Sequence, residues 1–207
     1  MIDTERYVQT IRYLEKLFDF LNEKLFKSEL GSPVITVQLD EKNKRSGWFT
    51  QEKVWKEGEK EEGAYEINLS AQELNRSIPE IGTTLLHEMC HYYAKLHALK
   101  DLSQMGKYHT KLFRKICETH GLTAEQDGTH GWAKTSLKPD MLPLFEEFTA
   151  KNPESLIYRM PVIKGKAVRF NNNRKYLCPT CGQVVRATKE VHILCADCKL
   201  PMEEEQF

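Results

Sequence analysis

At 207 residues, 40% hydrophobic and 29% charged, the chain has room for one ordinary domain and a small appendage, with enough apolar content to bury a core. That excludes a disordered or fibrous protein, and no apolar run reaches the roughly 20 residues of a membrane span. Thirty basic residues cancel thirty acidic ones, so bulk charge alone argues against nucleic acid.

The first six residues already carry charge and no uninterrupted apolar stretch follows, so neither a signal nor a transit peptide is expected. A cytoplasmic, reducing setting follows from that reading, with no membrane partner. Six cysteines there are expected as metal ligands or buried thiols rather than disulfides.

Residues 4–27 place Val8, Ile11, Leu14, Leu17, Phe18, Leu21, Leu25 and Phe26 at spacings of three and four, which predicts a long amphipathic helix. Short β-branched and aromatic runs follow at 33–39, 47–50 and 64–69, predicting three or four strands of an antiparallel or mixed sheet. Ser70 and Glu73 have the form of a capping box and predict a helical start, and Pro79 marks another. From Glu80 to about Leu99 the helical period returns through Ile81, Leu85, Met89 and Tyr93. Further helices are expected from Tyr108 to His120, closed by Gly121, and after Pro139 over Met141, Leu142, Leu144, Phe145 and Phe148. Residues 151–175 read as a linker.

His87 and His91 stand four residues apart in the second long helix, so both imidazoles leave one face one turn apart. That spacing grips a single tetrahedral zinc, and Glu88 between them reaches a water on the metal without ligating it. Zinc lowers the pKa of that water and polarises a peptide carbonyl, while Glu88 serves as general base and returns the proton to the leaving amine. Two surface histidines on a helix are the bland alternative.

A catalytic zinc needs a third protein ligand and an open fourth position. His97 has the ten-residue spacing from His87 of the metzincin pattern, but Ala94 replaces the glycine that lets that chain turn back. With the helix continuing, His97 lies roughly 15 Å along the axis from His87. His109 is favoured, because on its predicted helix it shares a face with Phe113 and Ile116; a hydrogen-bonded core histidine is the alternative. Tyr108, His120 and His130 read as structural, and Cys90 and Cys117 as core thiols.

Cys178, Cys181, Cys195 and Cys198 form two C-x-x-C knuckles with thirteen residues between them, the pattern of a structural zinc ribbon. No thioredoxin-like βαβ pattern surrounds either pair, which argues against a redox role. Residues 1–150 carry 20 basic and 24 acidic side chains, whereas 151–207 carry 10 and 6. Lys164, Lys166, Arg169, Arg174, Lys175, Arg186 and Lys189, interleaved with Phe170 and Tyr176, have the character of a strip that follows a phosphate backbone and stacks on unpaired bases. A solvated charged linker is the plain alternative.

In order along the chain, the helix ending Leu25-Phe26, Gly47-Trp48-Phe49, Glu66-Ile67-Asn68-Leu69-Ser70, Leu86-His87-Glu88-Met89-Cys90-His91, His109 followed by Phe113, and the terminal cysteines resemble the SprT-like metallopeptidases, the group that includes Spartan. The family usually carries His-Gly at the third ligand, where this chain has His109-Thr110. The resemblance implies an extended substrate added as a strand to the sheet edge over the active-site helix, with Glu66–Ser70 as that edge. It also implies action on proteins attached to DNA, stimulated by DNA.

The expectation is therefore an α+β, zincin-like metallopeptidase domain over 1–155 and a basic linker with a four-cysteine zinc ribbon over 156–207. Two Zn2+ ions are expected, one catalytic on His87, His91 and His109 and one structural on the four cysteines. The reaction is hydrolysis of a protein or peptide, with single-stranded DNA as a further partner. The rival is a non-enzymatic adaptor that binds nucleic acid through the ribbon.

Overall fold

Asp3 opens the first helix, α1 (Thr4–Phe26), by accepting the Arg6 N–H at 3.0 Å, and Lys27 closes it in the left-handed region with φ 54°. The structure, a computed structural model, describes residues 3–39, 45–59, 62–153, 156–161 and 174–205. One face of α1 buries Tyr13, Leu14, Leu17, Phe18 and Leu21 completely or nearly so. Each such side chain is worth roughly 1.5–3 kcal/mol of transfer free energy. Asn22 fastens the following turn, donating to Leu30 O at 2.8 Å and accepting from Leu30 N.

Five strands follow: β1 (Val34–Gln38), β2 (Gly47–Phe49), β3 (Trp55–Lys56), β4 (Gly63–Ala64) and β5 (Glu66–Ser70). β3 and β4 form a small hairpin, whereas β5 lies between β1, parallel to it, and β2, antiparallel. The sheet is thus mixed. Glu66–Ser70 is its central strand rather than the expected edge, because β1 and β2 occupy both of its hydrogen-bonding sides. All five of its residues are buried, and the indoles of Trp48 and Trp55 both donate to the Glu66 carboxylate, at 3.2 and 2.7 Å.

The expected helix after Ser70 is only a 3-10 turn, Glu73–Asn75. The capping device sits further on, where Glu80 accepts both the backbone N–H and the hydroxyl of Ser77 at 2.9 and 2.6 Å. With Pro79 in its first turn, this opens α2 (Ile78–Leu96). Helix α2 is the central helix of the unit, burying Ile81, Leu85, Leu86, Met89 and Cys90.

Past α2 come β6 (Leu102–Ser103), β7 (Tyr108–His109), α3 (Lys111–Thr119), β8 (Leu122–Asp127) and β9 (Gly131–Leu137). The four strands form a sheet of order β6-β7-β9-β8. The hairpin of β8 and β9 has no counterpart in the sequence expectations. Only Leu122 and Ala124 turn inward on β8, too short an alternation to stand out. After a 3-10 turn at Pro139–Met141, α4 (Leu142–Lys151) packs Phe145 and Phe148 into the core, the latter edge-on to Tyr13.

The chain divides into two units, Met1–Pro161 and Val162–Phe207. Residues 156–161 belong with the first: Ile157 N–H donates to Thr10 Oγ1 and Arg159 N–H to Ala71 O. In the second unit, β10 (Arg174–Leu177) pairs antiparallel with both β11 (Val184–Ala187) and β12 (Glu203–Glu204) over a small core of Tyr176, Cys178, Cys195 and Met202. Of the expected linker over 151–175, residues 154–155 and 162–173 lie outside the described residues, while Lys151 instead ends α4 and Arg174 and Lys175 open β10. Among the described residues no helix is long and apolar enough to cross a membrane.

Candidate metal centre

His87 and His91 leave one face of α2, and His109 reaches them from β7. The expected helix over Tyr108–His120 begins only at Lys111, because Thr110 is extended and caps it by accepting the Phe113 N–H. The departure at Thr110 is thereby accounted for: the residue after His109 is used as a helix cap. His109 is instead held in strand geometry, opposite Leu102 on β6 and Gly131 on β9.

The three imidazoles present Nε2 to a common point. His91 Nε2 lies 3.2 Å from Nε2 of His87 and 3.2 Å from Nε2 of His109. Each outer nitrogen has its own partner: Thr135 Oγ1 at 3.0 Å from His87 Nδ1, Asp101 Oδ2 at 2.5 Å from His91 Nδ1, and the His130 carbonyl at 3.1 Å from His109 Nδ1. A carboxylate and a carbonyl only accept, so His91 and His109 carry their protons on Nδ1 and turn bare lone pairs inward. Two lone pairs facing each other at 3.2 Å repel unless a cation lies between them. Nitrogens bound at about 2.0–2.1 Å to one tetrahedral zinc stand roughly 3.3 Å apart, so the set fits that ion.

Phe113 is the floor of this cluster. It is fully buried, lies face to face with His91 at 4.3 Å between ring centres, and meets His87 and His109 edge-on at 4.9 and 4.7 Å. Burial accordingly pushes the His109 imidazole down to about 4 and the His87 imidazole well below its ordinary value, with the neighbouring histidines adding to the effect. Both are neutral at physiological pH, the state in which imidazole ligates.

The platform under His109 comes from the β8–β9 turn. Asp127 accepts the N–H groups of Thr129 and His130, which fixes the His130 carbonyl that receives both the backbone N–H and Nδ1 of His109. Gly131, at φ +71°, follows at close quarters; a Cβ there would stand 2.2 Å from His109 O. Only glycine meets both demands.

Glu88 is 6% exposed, and burial raises its carboxyl to about 7, although His91, Arg45 and the Phe49 N–H pull the other way. Its side chain lies against β2. Thr50 N–H donates to Glu66 O and Ser70 N–H to Ser46 O, so the main-chain groups of Gly47 and Phe49 fall on the side of β2 away from β5. Among the described residues no strand pairs with that side.

His97 is elsewhere. Helix α2 runs through Ala94 without a turn, and His97 caps its end, 3.2 Å from Glu29 and with its ring tilted against Tyr93. His120 stacks on Phe26 at 4.2 Å, and the Tyr108 hydroxyl accepts from Gln126. Asp101 and Thr135 were not legible in the sequence, since neither keeps a fixed spacing from the histidine whose ring it holds.

In the second unit the sulfurs of Cys178, Cys181, Cys195 and Cys198 lie within 4.8 Å of one another, with Cys181 and Cys195 at 3.6 Å. Each knuckle is closed by a turn, Gly182 N–H to Cys178 O and Lys199 N–H to Cys195 O. Backbone N–H groups of Cys181 and Thr180 lower the Cys178 thiol to about 7, favouring the thiolate a metal needs.

The expected base-stacking role of Tyr176 does not survive: it is 4% exposed, in the core of this unit, and its hydroxyl accepts from Val191 N–H. Arg174 is paired with Glu204 and Lys175 with Glu205, at 2.9 and 2.5 Å. Arg186 and Lys189 remain exposed. Lys164, Lys166, Arg169 and Phe170 lie outside the described residues.

A sequence profile of the SprT-like family matches residues 14–130, more than half of the chain, so this protein belongs to the SprT-like family. The family is linked to metallopeptidase-like proteins. No curated protein and no solved structure matches the chain.

Proposed function

We propose that the protein is a zinc-dependent endopeptidase of zincin-like design, in which His87, His91 and His109 hold the catalytic ion and Cys178, Cys181, Cys195 and Cys198 a structural one. The observation that carries this reading is the convergence of three Nε2 atoms whose outer nitrogens are each held by a separate partner.

A zinc ion at that point supplies a Lewis acid that acidifies water and polarises a peptide carbonyl. Glu88 does the proton work. It takes a proton at a carboxylate oxygen and delivers it to the departing amine. The side of β2 away from β5, which no strand occupies among the described residues, offers the Gly47 main chain and the Phe49 carbonyl to an extended stretch of substrate, the Phe49 N–H being taken by Glu88; main-chain pairing of this kind holds a peptide without demanding particular side chains. An unfolded or locally extended protein segment is the substrate class this favours. The free thiols suit a reducing compartment, and we assign the protein to the cytoplasm.

The test is Glu88→Gln with zinc-loaded protein and an unfolded protein substrate. The variant keeps its metal and loses turnover; hydrolysis at the wild-type rate would remove Glu88 from the chemistry. DNA-bound proteins as substrates, with single-stranded DNA contacted by Arg186 and Lys189, form the second part of the proposal.

A further inference from the structure

Only one of the three histidines leans on a charged side chain. Asp101 Oδ2 stands 2.5 Å from His91 Nδ1, whereas His87 has a hydroxyl and His109 a main-chain carbonyl. Asp101 is 6% exposed, and His91 is its only side-chain partner among the described residues. A carboxylate is costly to bury for a single neutral hydrogen bond. The cost is offset where the imidazole it holds carries positive charge density, as it does on binding a cation.

The backbone of the same residue is pinned from both sides. Asp101 N–H donates to Leu99 O at 3.1 Å, and Asp101 O receives the N–H of Thr110, the residue after His109, at 2.8 Å. The Thr110 hydroxyl donates to Lys100 O at 3.1 Å. Through its side chain Asp101 thus fixes the ligand on α2, and through its carbonyl the strand that carries the ligand on β7. Leu102, next in sequence, pairs with His109 itself. Phe113 packs against both rings, but among the described residues no other one is hydrogen-bonded both to the His91 ring and to the chain beside His109.

We propose that Asp101 is a positioning residue that sets the metal affinity of the histidine cluster, fixing the tautomer and direction of His91 and raising its donor strength. The proposal rests on the reading that the cluster takes a metal. Acceptors of this kind are generally worth about 10–100-fold in metal affinity.

The experiment is cobalt(II) titration of the full chain, wild type against Asp101→Asn and Thr135→Val. Cobalt distinguishes the sites, because only the cysteine set gives sulfur charge-transfer absorption; the histidine set gives visible ligand-field bands alone. Asn keeps the shape and an acceptor oxygen but not the charge. The expected result is a loss of about 10–100-fold in cobalt affinity at the histidine set, with a shifted ligand-field band. Melting of the metal-free protein and the cysteine-set absorption stay as in the wild type. Thr135→Val loses less. Wild-type affinity and spectrum in Asp101→Asn would overturn the role of Asp101 alone. An affinity loss matched by an equal loss in metal-free melting would reduce Asp101 to a structural residue. If wild type itself shows no ligand-field bands beyond the cysteine set, the metal reading fails and the proposal with it.

Discussion

Gly47 lies directly against Glu88. A Cβ at Gly47 would come within 3.3 Å of Glu88 Cγ and 3.0 Å of Thr84 Cγ2, and only 2.9 Å from Asn68 O on the central strand. The glycine lets β2 approach α2 closely enough that the Phe49 N–H reaches the Glu88 carboxylate. Gly47→Ala is therefore predicted to cost about 1–3 kcal/mol through overpacking and to lower kcat. Thermal melting and steady-state kinetics check it; an alanine variant as stable and as active as wild type would contradict the close approach.

Glu88 gives the metal-free protein a defined pH dependence. Its carboxyl is raised from 4.5 to about 7, so between those values the folded chain binds the proton that the unfolded chain has released. The stability this contributes is full below 4.5 and is lost as pH rises through 7. Gln carries no such proton. Glu88→Gln should match wild type near pH 4.5, gain on it steadily toward pH 7, and level off above. At about 1.4 kcal/mol per pH unit the gain is bounded at about 3.5 kcal/mol. Denaturant unfolding of chelator-treated proteins at several pH values checks this, and a constant difference across that range would contradict it.

Removing His109 and removing His97 should have opposite consequences. His109→Ala takes away one of three converging nitrogens and is predicted to lose one zinc per chain. His97→Ala breaks a half-exposed pairing with Glu29 and a ring contact with Tyr93 at the end of α2, neither of which touches the histidine cluster, so both zincs stay and stability changes by less than about 1 kcal/mol. Metal content after desalting separates the two.

Gly131→Ala tests the platform under the third ligand. A left-handed conformation costs a non-glycine residue of order 1–2 kcal/mol, and the 2.2 Å approach to His109 O adds a clash that only backbone movement relieves. The expected outcome is a protein that keeps the cysteine-bound zinc but binds the second ion weakly. Unchanged affinity at the histidine set would show that the β8–β9 turn does not position His109.

Binding to single-stranded DNA is predicted to weaken steeply with salt. Arg186→Ala together with Lys189→Ala should flatten the log–log slope by roughly 1.4, about 0.7 for each phosphate no longer neutralised. Fluorescence anisotropy at several salt concentrations checks it; no binding at low salt would remove DNA from the proposal.

Much of this was legible because it is periodic or fixed in spacing. The helical runs of α1 and α2, the strands at 34–38, 47–49 and 66–70, the His87–His91 pair and the cysteine knuckles all announce themselves over a few residues. What stayed hidden depends on pairing between distant segments. Glu66–Ser70 reads as a strand, but only its pairing on both sides makes it central. The helical spacing that turns His109 toward Phe113 and Ile116 does not apply, since Thr110 caps a helix that starts only at Lys111 and long-range pairing with Leu102 and Gly131 holds the backbone of His109. Tyr176 looked free to stack on bases because composition cannot tell an exposed aromatic from the core of a small unit.

The central claim, that the three-histidine cluster holds a metal independent of the cysteine set, is tested most directly by elemental analysis of protein purified without added metal, comparing wild type with His87→Ala and Cys178→Ala. The account predicts two zincs per chain in wild type and one in each variant, with hydrolysis lost in His87→Ala. A single zinc in wild type, unaffected by His87→Ala and lost with Cys178→Ala, would contradict it.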